Sequence, residues 1–555
     1  MGKNILIHPN DTPQLRKERG AFFTPSEITS FVANWAIRSA GDKVMEPSAG
    51  DAAFLVAAVE RLLKLGRGKA WEPTVDGVEI HAHSAKIARQ RVKEAGGKAH
   101  VRLSDFFDVE PDPAYEAVIG NPPYIRYQNF SGESRTKSRE AALRGGVSLT
   151  GLASSWAAFT VHSALFLKPG GRLGLVLPAE LLSVNYAAPV RQFLFSKFRE
   201  VQLVLFAEQV FPGVEADVVL LLADGYLEGP ANHAVIRQAK DAASLASLDA
   251  GQAWTPADPA GKWTGSLVAD GALGPLRALL GSGRFVGLEY WGDTTLGIVT
   301  GNNRYFALSP ARARELGIGA SELLRLSPPG SSHLRGLALT QEQLAKLGRE
   351  GQSTRLFYPA DTPSGAAAKY IEDGHRTGVD TAYKCRVRKV WHRVPLVKPA
   401  DLLLTCMNAD TPRLTSNEAA AHHLNSVHGV YLKPGLRDIG RELLPVASLN
   451  SATLLHAEVV GRAYGGGILK IEPKEADIWA MPSPELVEAR ADELRAIKPR
   501  VAEWLREGEL HEAVALVDRA LFAGRGATPA KSVNAMRQAR ELLAARRATR
   551  SSSGH

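Results

Sequence analysis

From about residue 40 to residue 225 the pattern of apolar and polar positions alternates between two periods. Short apolar runs, "DKVMEPSAG" (42–50), "TVDGVEI" (74–80), "AYEAVIGN" (114–121) and "GRLGLVLPAE" (171–180), predict strands. "DAAFLVAAVERLLKLG" (51–66), "HSAKIARQRVKEAG" (83–96) and "SSWAAFTVHSALFL" (154–167) space their apolar residues as helices do. Two further apolar runs, "VQLVLFAEQVF" (201–211) and "ADVVLLLAD" (216–224), predict a closing antiparallel pair. Strands alternating with helices imply a mostly parallel, doubly wound sheet, which takes its ligands beyond the carboxyl ends of its strands. The expected fold class is α/β: a doubly wound Rossmann-like sheet over 1–230, then a mixed α+β C-terminal domain. Residues 231–284 read as a linker or edge segment, 285–485 as short strands and loops of rising basic density, and 486–555 as a charged helical tail with a frayed end.

Composition narrows the class. The chain's 555 residues allow two to four domains, and no apolar run reaches the ~18 residues of a membrane span. The N-terminus lacks the apolar core of a signal peptide, so a cytoplasmic protein is expected. Cys385 and Cys406 cannot by themselves make a disulfide framework or a four-ligand zinc site. "HAH" (81–83) and "HH" (422–423) have no accompanying ligands at metal-binding spacing, so no metal is expected. A formal charge of +9 favours an anionic partner. Between Arg376 and Lys398 stand seven Lys and Arg against one Asp.

The chemistry gathers at strand ends. In "EPSAGD" (46–51) the small residues Ser48, Ala49 and Gly50 let a ligand approach the backbone, between Glu46-Pro47 and a helix N-terminus. Glu79 ends the second strand, where a carboxylate can accept from both hydroxyls of a ribose. Asp105 in "RLSDFF" can accept from an adenine amine, with Phe106 flanking the ring. The stiffest stretch is "VIGNPPYIRY" (118–127), where two prolines remove two backbone donors and fix two φ angles. An exocyclic aromatic amine is a poor nucleophile because its lone pair is delocalised. If Asn121 Oδ1 and the Pro122 carbonyl each accept one of its hydrogens, the lone pair is turned toward an electrophile. The Pro122-Pro123 stiffening would hold both acceptors within about half an ångström. Tyr124 offers a ring to stack on the base, worth roughly 1–3 kcal/mol. A sulfonium methyl as electrophile requires no strong general base.

These segments, in this order, resemble the gamma-type (TaqI-like) DNA amino-methyltransferases. "RGAFFTP" (19–25) resembles the family's N-terminal motif, which implies that Phe23, Thr24 and Pro25 line the methionine end of S-adenosylmethionine. "MEPSAGD", "VDGVEI", "LSDFF" and "IGNPPY" follow in family order, and "EQVFPGVEADVVLL" resembles the segment whose phenylalanine packs on the target base, here Phe211. Two departures stand out: "PSAGDAAF" replaces a more usual Cys-Gly-Ser, and an insertion around "LGRGKAWEPT" lengthens the gap from Gly50 to Glu79. In the second half "GIVTGNNRYFAL" (297–308), "CRVRKVWHRVP" (385–395), "LLLTCMNADTPRLTSN" (402–417) and "GRAYGGGILKIEP" (461–473) resemble stretches of the family's DNA-recognition domain. That resemblance makes Asn302, Asn303 and Arg304 candidates for base edges, and Arg386, Arg388, Lys389 and Arg393 candidates for phosphates. The implied activity is methylation of adenine N6 in duplex DNA, beside a separate cognate restriction endonuclease. RNA or protein-glutamine amide methylation and a catalytically silent DNA-binding module are the alternatives.

Overall fold

The computed structural model of the chain describes residues 24–66, 71–125, 130, 132–208, 210–211, 218–256, 258–268, 270–464, 467–524 and 527–552. It divides into one unit over 1–269, joined by 549–555, and a second over 270–548.

The first unit is built on nine strands: β1 Val44–Glu46, β2 Thr74–Glu79, β3 Lys98–Leu103, β4 Tyr115–Gly120, β5 Leu167–Pro178, β6 Phe198–Phe206, β7 Val218–Tyr226, β8 Ala234–Ala239 and β9 Gln252–Trp254. They form one sheet in the order β3-β2-β1-β4-β5-β7-β6-β8-β9. The pairs from β3 through β5 are parallel, and β7 runs antiparallel between β5 and β6 as the two apolar runs predicted. All of β7 and the last eight residues of β5 are buried, which is why these strands read as continuous apolar runs rather than alternating ones. Helices α1 (Ser26–Ala36), α2 (Ala53–Leu65), α3 (Ala82–Glu94) and α4 (Ser155–Ala164) accompany the sheet. Helix α1 buries Ile28, Val32, Ala33 and Ala36 on one stripe, and α4 is buried on every side. Gly77 sits mid-strand because a Cβ there would come within 3.2 Å of Leu55 and 3.3 Å of Ala49, so its absence lets the β1 turn and α2 lie against β2. The segment read as linker or edge is edge: β8 lies parallel to β6, β9 closes the sheet, and the second unit starts at Asp270.

The second unit contains short strands, among them β10 Phe285–Gly287, β11 Gly292–Leu296, β12 Leu402–Thr405, β13 Leu414–Ser416, β14 Val427–Leu432 and β15 Ala480–Pro482. Four form an antiparallel sheet ordered β11-β14-β12-β13, and β10 pairs with β15, tying the start of the unit to residues almost 200 positions later. Among its helices are α5 (Ser451–Val460), α6 (Ala491–Glu507), α7 (Leu510–Phe522) and α8 (Ala530–Ser552). The expected separate, frayed tail is corrected here. Arg547, on α8, is only 5% exposed; it forms a two-pronged pair with Glu458 at 2.9 and 3.1 Å and donates to the carbonyls of Ala409, Asp410 and Gly467. Asp518 on α7 accepts from the Ser451 amide and hydroxyl and from Arg537 of α8. Those buried, charge-assisted bonds make the tail part of the unit's core. Among the described residues, no single helix is long and apolar enough to cross a membrane.

Candidate active site

Four strand ends carry the predicted chemistry along one edge of the parallel sheet. β1 and β2 run in register with Glu46 beside Gly77, and the turn after β1 is fastened to β2. The Ala49 amide donates to Val78 O (2.9 Å), and the Gly50 amide donates to Glu79 Oε2 (2.8 Å). Glu79 Oε1 accepts from the His81 amide at 2.8 Å, so each carboxylate oxygen is oriented by one main-chain donor and keeps a lone pair for a hydroxyl. The direct Gly50–Glu79 bond answers the lengthened gap, since the added residues lie in the connection between α2 and β2. Gly50 takes φ +49°, and a Cβ there would meet nothing within 4 Å, so the turn faces open space. Glu46 is buried at the foot of this turn and accepts from the Leu55 amide at 3.2 Å. Burial first, and the neighbouring Asp51 charge second, hold its carboxyl well above the usual carboxylate range. Asp51 itself is paired with Arg91 of α3 at 2.6 Å.

At the end of β4, Gly120 lies against Pro47 and Glu46, close enough that a Cβ would be 3.3 Å from Pro47 Cδ. Asn121 therefore starts beside the β1 turn. Its Nδ2 donates to Thr24 Oγ1 (3.1 Å), and its Oδ1 accepts from the Tyr124 hydroxyl (2.7 Å). The Tyr124 hydroxyl also lies 3.0 Å from Val176 O, which places Tyr124 at the carboxyl end of β5. Burial pushes that hydroxyl far up, so it remains a donor. Phe211 is buried in the apolar cluster, with Phe206, Val210 and Val218, against which the Tyr124 ring also packs. The two expected base-flanking rings thus belong to one cluster. Thr24 and Pro25 precede α1; Phe23 lies outside the described residues.

Comparison with known proteins finds a match for each part of the chain. Residues 7–228 match the N-6 DNA methylase family, and residues 260–522 match the C-terminal domain of type II methyltransferase M.Eco57I. Both matches are to DNA methyltransferases. The chain is 22% identical over 475 residues to type II methyltransferase M.AccI of Acinetobacter calcoaceticus, covering 83% of this chain and 84% of that protein. It is 25% identical over 519 residues to M.XamI of Xanthomonas campestris pv. amaranthicola, covering 88% and 89%. In fold it is similar to the type IIL restriction-modification enzyme MmeI, solved in complex with DNA, with a TM-score of 0.58, 11% identity and coverage of 94% and 75%.

Two expectations for the first unit come out differently. Asp105 accepts from the Phe107 amide at 3.0 Å and caps a single helical turn, which orients its carboxylate. Phe106 does not flank a ligand ring: it is 3% exposed and its ring is stacked on Phe159 and Phe166 and edge-on to His162. That turn sends the two neighbouring side chains apart, Asp105 to the sheet edge and Phe106 into the core.

In the second unit the two predicted DNA segments meet. The Arg388 guanidinium donates to Val299 O (2.7 Å), Thr300 O (2.8 Å) and Trp391 O (3.2 Å), over the Phe306 ring. Buried Cys385 sits against the Thr300 carbonyl. The fork of Arg388 is therefore spent inside the protein, which corrects its reading as a phosphate contact. Arg393 is paired with Asp361 over the Tyr358 ring, a second correction. Asn302 caps the short helix Asn303–Phe306 by accepting from the Tyr305 amide, so its role is structural at Oδ1. Asn303, Arg304, Arg386 and Lys389 are exposed, and Asn303 Oδ1 accepts from Thr300 Oγ1. Asn302, Arg304 and Arg312 line a cleft of about 540 Å³ that, among the described residues, has no acidic side chain in its wall.

Sequence reading missed the partners that hold these groups in place: Thr24 as acceptor for Asn121, Val176 as acceptor for Tyr124, and Ser155 beneath the proline loop. "LASSWAAF" signals a helix start, but nothing in it points 30 residues back.

Proposed function

We propose that the methylase transfers a methyl group from S-adenosylmethionine to N6 of an adenine turned out of duplex DNA, as the modification arm of a restriction-modification system. The observation that carries this reading is the oriented Asn121 amide at the end of β4, beside the β1 turn. The residues present fit the cofactor. Open space above Gly50 leaves room for it, Glu79 and Asp105 supply acceptors for ribose and adenine, and Thr24 and Pro25 stand at its methionine end. When bound, it supplies a methyl on a sulfonium, which a neutral amine can attack.

The protein's part is to prepare that amine. Asn121 Oδ1 and the Pro122 carbonyl accept its two hydrogens and turn its lone pair outward, while Tyr124 and Phe211 hold the ring between them. Asn at the head of the tetrapeptide favours adenine N6 over cytosine N4. Arg386 and Lys389 would meet phosphates, and Asn303 and Arg304 base edges. Similarity to type II methyltransferases supports a cognate endonuclease on a separate chain.

The test uses radiolabelled S-adenosylmethionine and methylation-free genomic DNA, digested to nucleosides after reaction. The expected product is labelled N6-methyl-deoxyadenosine, absent with Asn121→Ala although that variant keeps its DNA affinity. Label in N4-methyl-deoxycytidine would reassign the base. Cofactor binding without labelled DNA would move RNA or a protein amide into its place.

A further inference from the structure

We infer that Ser155 is a positioning residue that decides which carbonyl of the Asn121–Tyr124 loop receives the substrate amine; this rests on the function proposed above. The loop has an intrinsic weakness. Its two prolines fix φ but supply no N–H, so its backbone cannot be anchored by its own donors at 122 and 123. It also offers two successive carbonyls, Pro122 and Pro123, and the chemistry needs one of them at a set place.

Ser155 resolves both problems from outside the loop. Its hydroxyl donates to Pro123 O (2.5 Å) and accepts from the Ile125 amide (2.9 Å), while its own amide donates to Ile125 O (3.1 Å). The three bonds bracket Tyr124, fixing the peptide groups on both sides of it. They also fill the Pro123 carbonyl, whereas no donor among the described residues takes the carbonyl of Pro122. One acceptor is thereby removed and its neighbour kept for the amine.

The anchor is firm. Ser155 is 1% exposed, so water does not compete for its hydroxyl, and it stands in the first turn of α4, every residue of which is buried. Seven residues on, the same helix holds the other substrate segment: His162 Nε2 lies 3.2 Å from Phe106 O and 3.1 Å from Val109 O, around the turn that Asp105 caps. One helix thus sets the spacing between the cofactor-side turn and the amine-side loop. A displacement of about 1 Å at such a site costs on the order of 10²-fold in rate.

The experiment measures methyl transfer from labelled S-adenosylmethionine into methylation-free genomic DNA, both saturating, together with calorimetric titration of S-adenosylmethionine alone. Ser155→Ala is expected to lower kcat about 10²-fold with cofactor Kd within about twofold. Ser155→Thr, which keeps the hydroxyl, should return kcat to within about fivefold of wild type, and Ser155→Cys, a weaker donor, should fall between. The threonine and cysteine variants carry the comparison if the alanine variant does not fold. Wild-type kcat in Ser155→Ala would overturn the role, as would a parallel loss of kcat and cofactor affinity that threonine does not relieve. Wild-type protein that labels no DNA would overturn the proposed function itself, a result separable from either.

Discussion

An amide side chain has an acceptor end and a donor end of nearly the same shape, and only its hydrogen-bond partners decide which end faces a substrate. For Asn121 the partners are Thr24 Oγ1 on Nδ2 and the Tyr124 hydroxyl on Oδ1. Thr24→Val keeps the shape and removes the acceptor, so the amide loses one of the two bonds that orient it. Loss of such a bond is worth about 1–3 kcal/mol, and kcat should fall roughly tenfold, while Thr24→Ser keeps the rate. A steady-state kcat equal to wild type in Thr24→Val would remove Thr24 from the orienting set. Asn121 and Tyr124 themselves were legible in the sequence because their chemistry is local to one tetrapeptide. Thr24 was legible only as part of a motif, since its bond to Asn121 spans 97 positions. Phe106 was misread for the opposite reason: adjacency to Asp105 suggested a shared pocket, and one helical turn sends the two side chains to different places.

Elements divide in the same way. Strands β5 and β7 were readable because burial on both faces writes continuous apolar runs, and helix α2 because it keeps an apolar stripe. The second unit resisted because strands of two to six residues carry too few positions for a period to register. The basic run shows what that hides. In sequence Arg386, Arg388, Lys389 and Arg393 are equivalent; in the structure Arg388 closes the 299–304 loop against the 383–391 segment and Arg393 is paired with Asp361. Removing the charges of Arg386 and Lys389 together should reduce the slope of log K against log salt for DNA binding by about 2. Arg388→Ala should leave that slope unchanged and lower the melting temperature by roughly 5 °C, because it strands three carbonyls. A slope that responds to Arg388 and ignores the other two would reverse these assignments.

At the scale of the molecule, acid is the expected weakness. Burial holds His162, His333, His423 and His456 at about 4, below the ordinary histidine value. A depressed pKa means that only the unfolded chain binds a proton between about 6.5 and 4. Their stabilising contribution is therefore complete above about 6.5 and lost as pH falls through that window. For the fully buried His162 and His423 the loss is at most roughly 3 kcal/mol each. Three of the four lie in the second unit, which should lose more on acidification. His456 gives the loss a geometry, since its Nδ1 accepts from the Ala480 amide at the start of β15. Among the described residues His423 has no partner at either ring nitrogen, so His423→Leu should be tolerated at pH 7 and should flatten the fall in melting temperature from pH 7 to pH 5. A variant as acid-sensitive as wild type by scanning calorimetry would clear His423 of that role. None of this was visible in the sequence, where "HH" at 422–423 raised only the question of metal.

The Arg388 clamp also bears on how the proposed recognition surface can change over time. Because one guanidinium holds two segments together, the exposed positions Arg304, Lys384, Arg386 and Lys389 on those segments are not needed to join them. New target sequences can be explored there by substitution while the backbone that presents them stays where it is. A library randomised at those four positions should return mostly folded proteins with altered site preference, and the same library with Arg388 included should return proteins that melt at lower temperature.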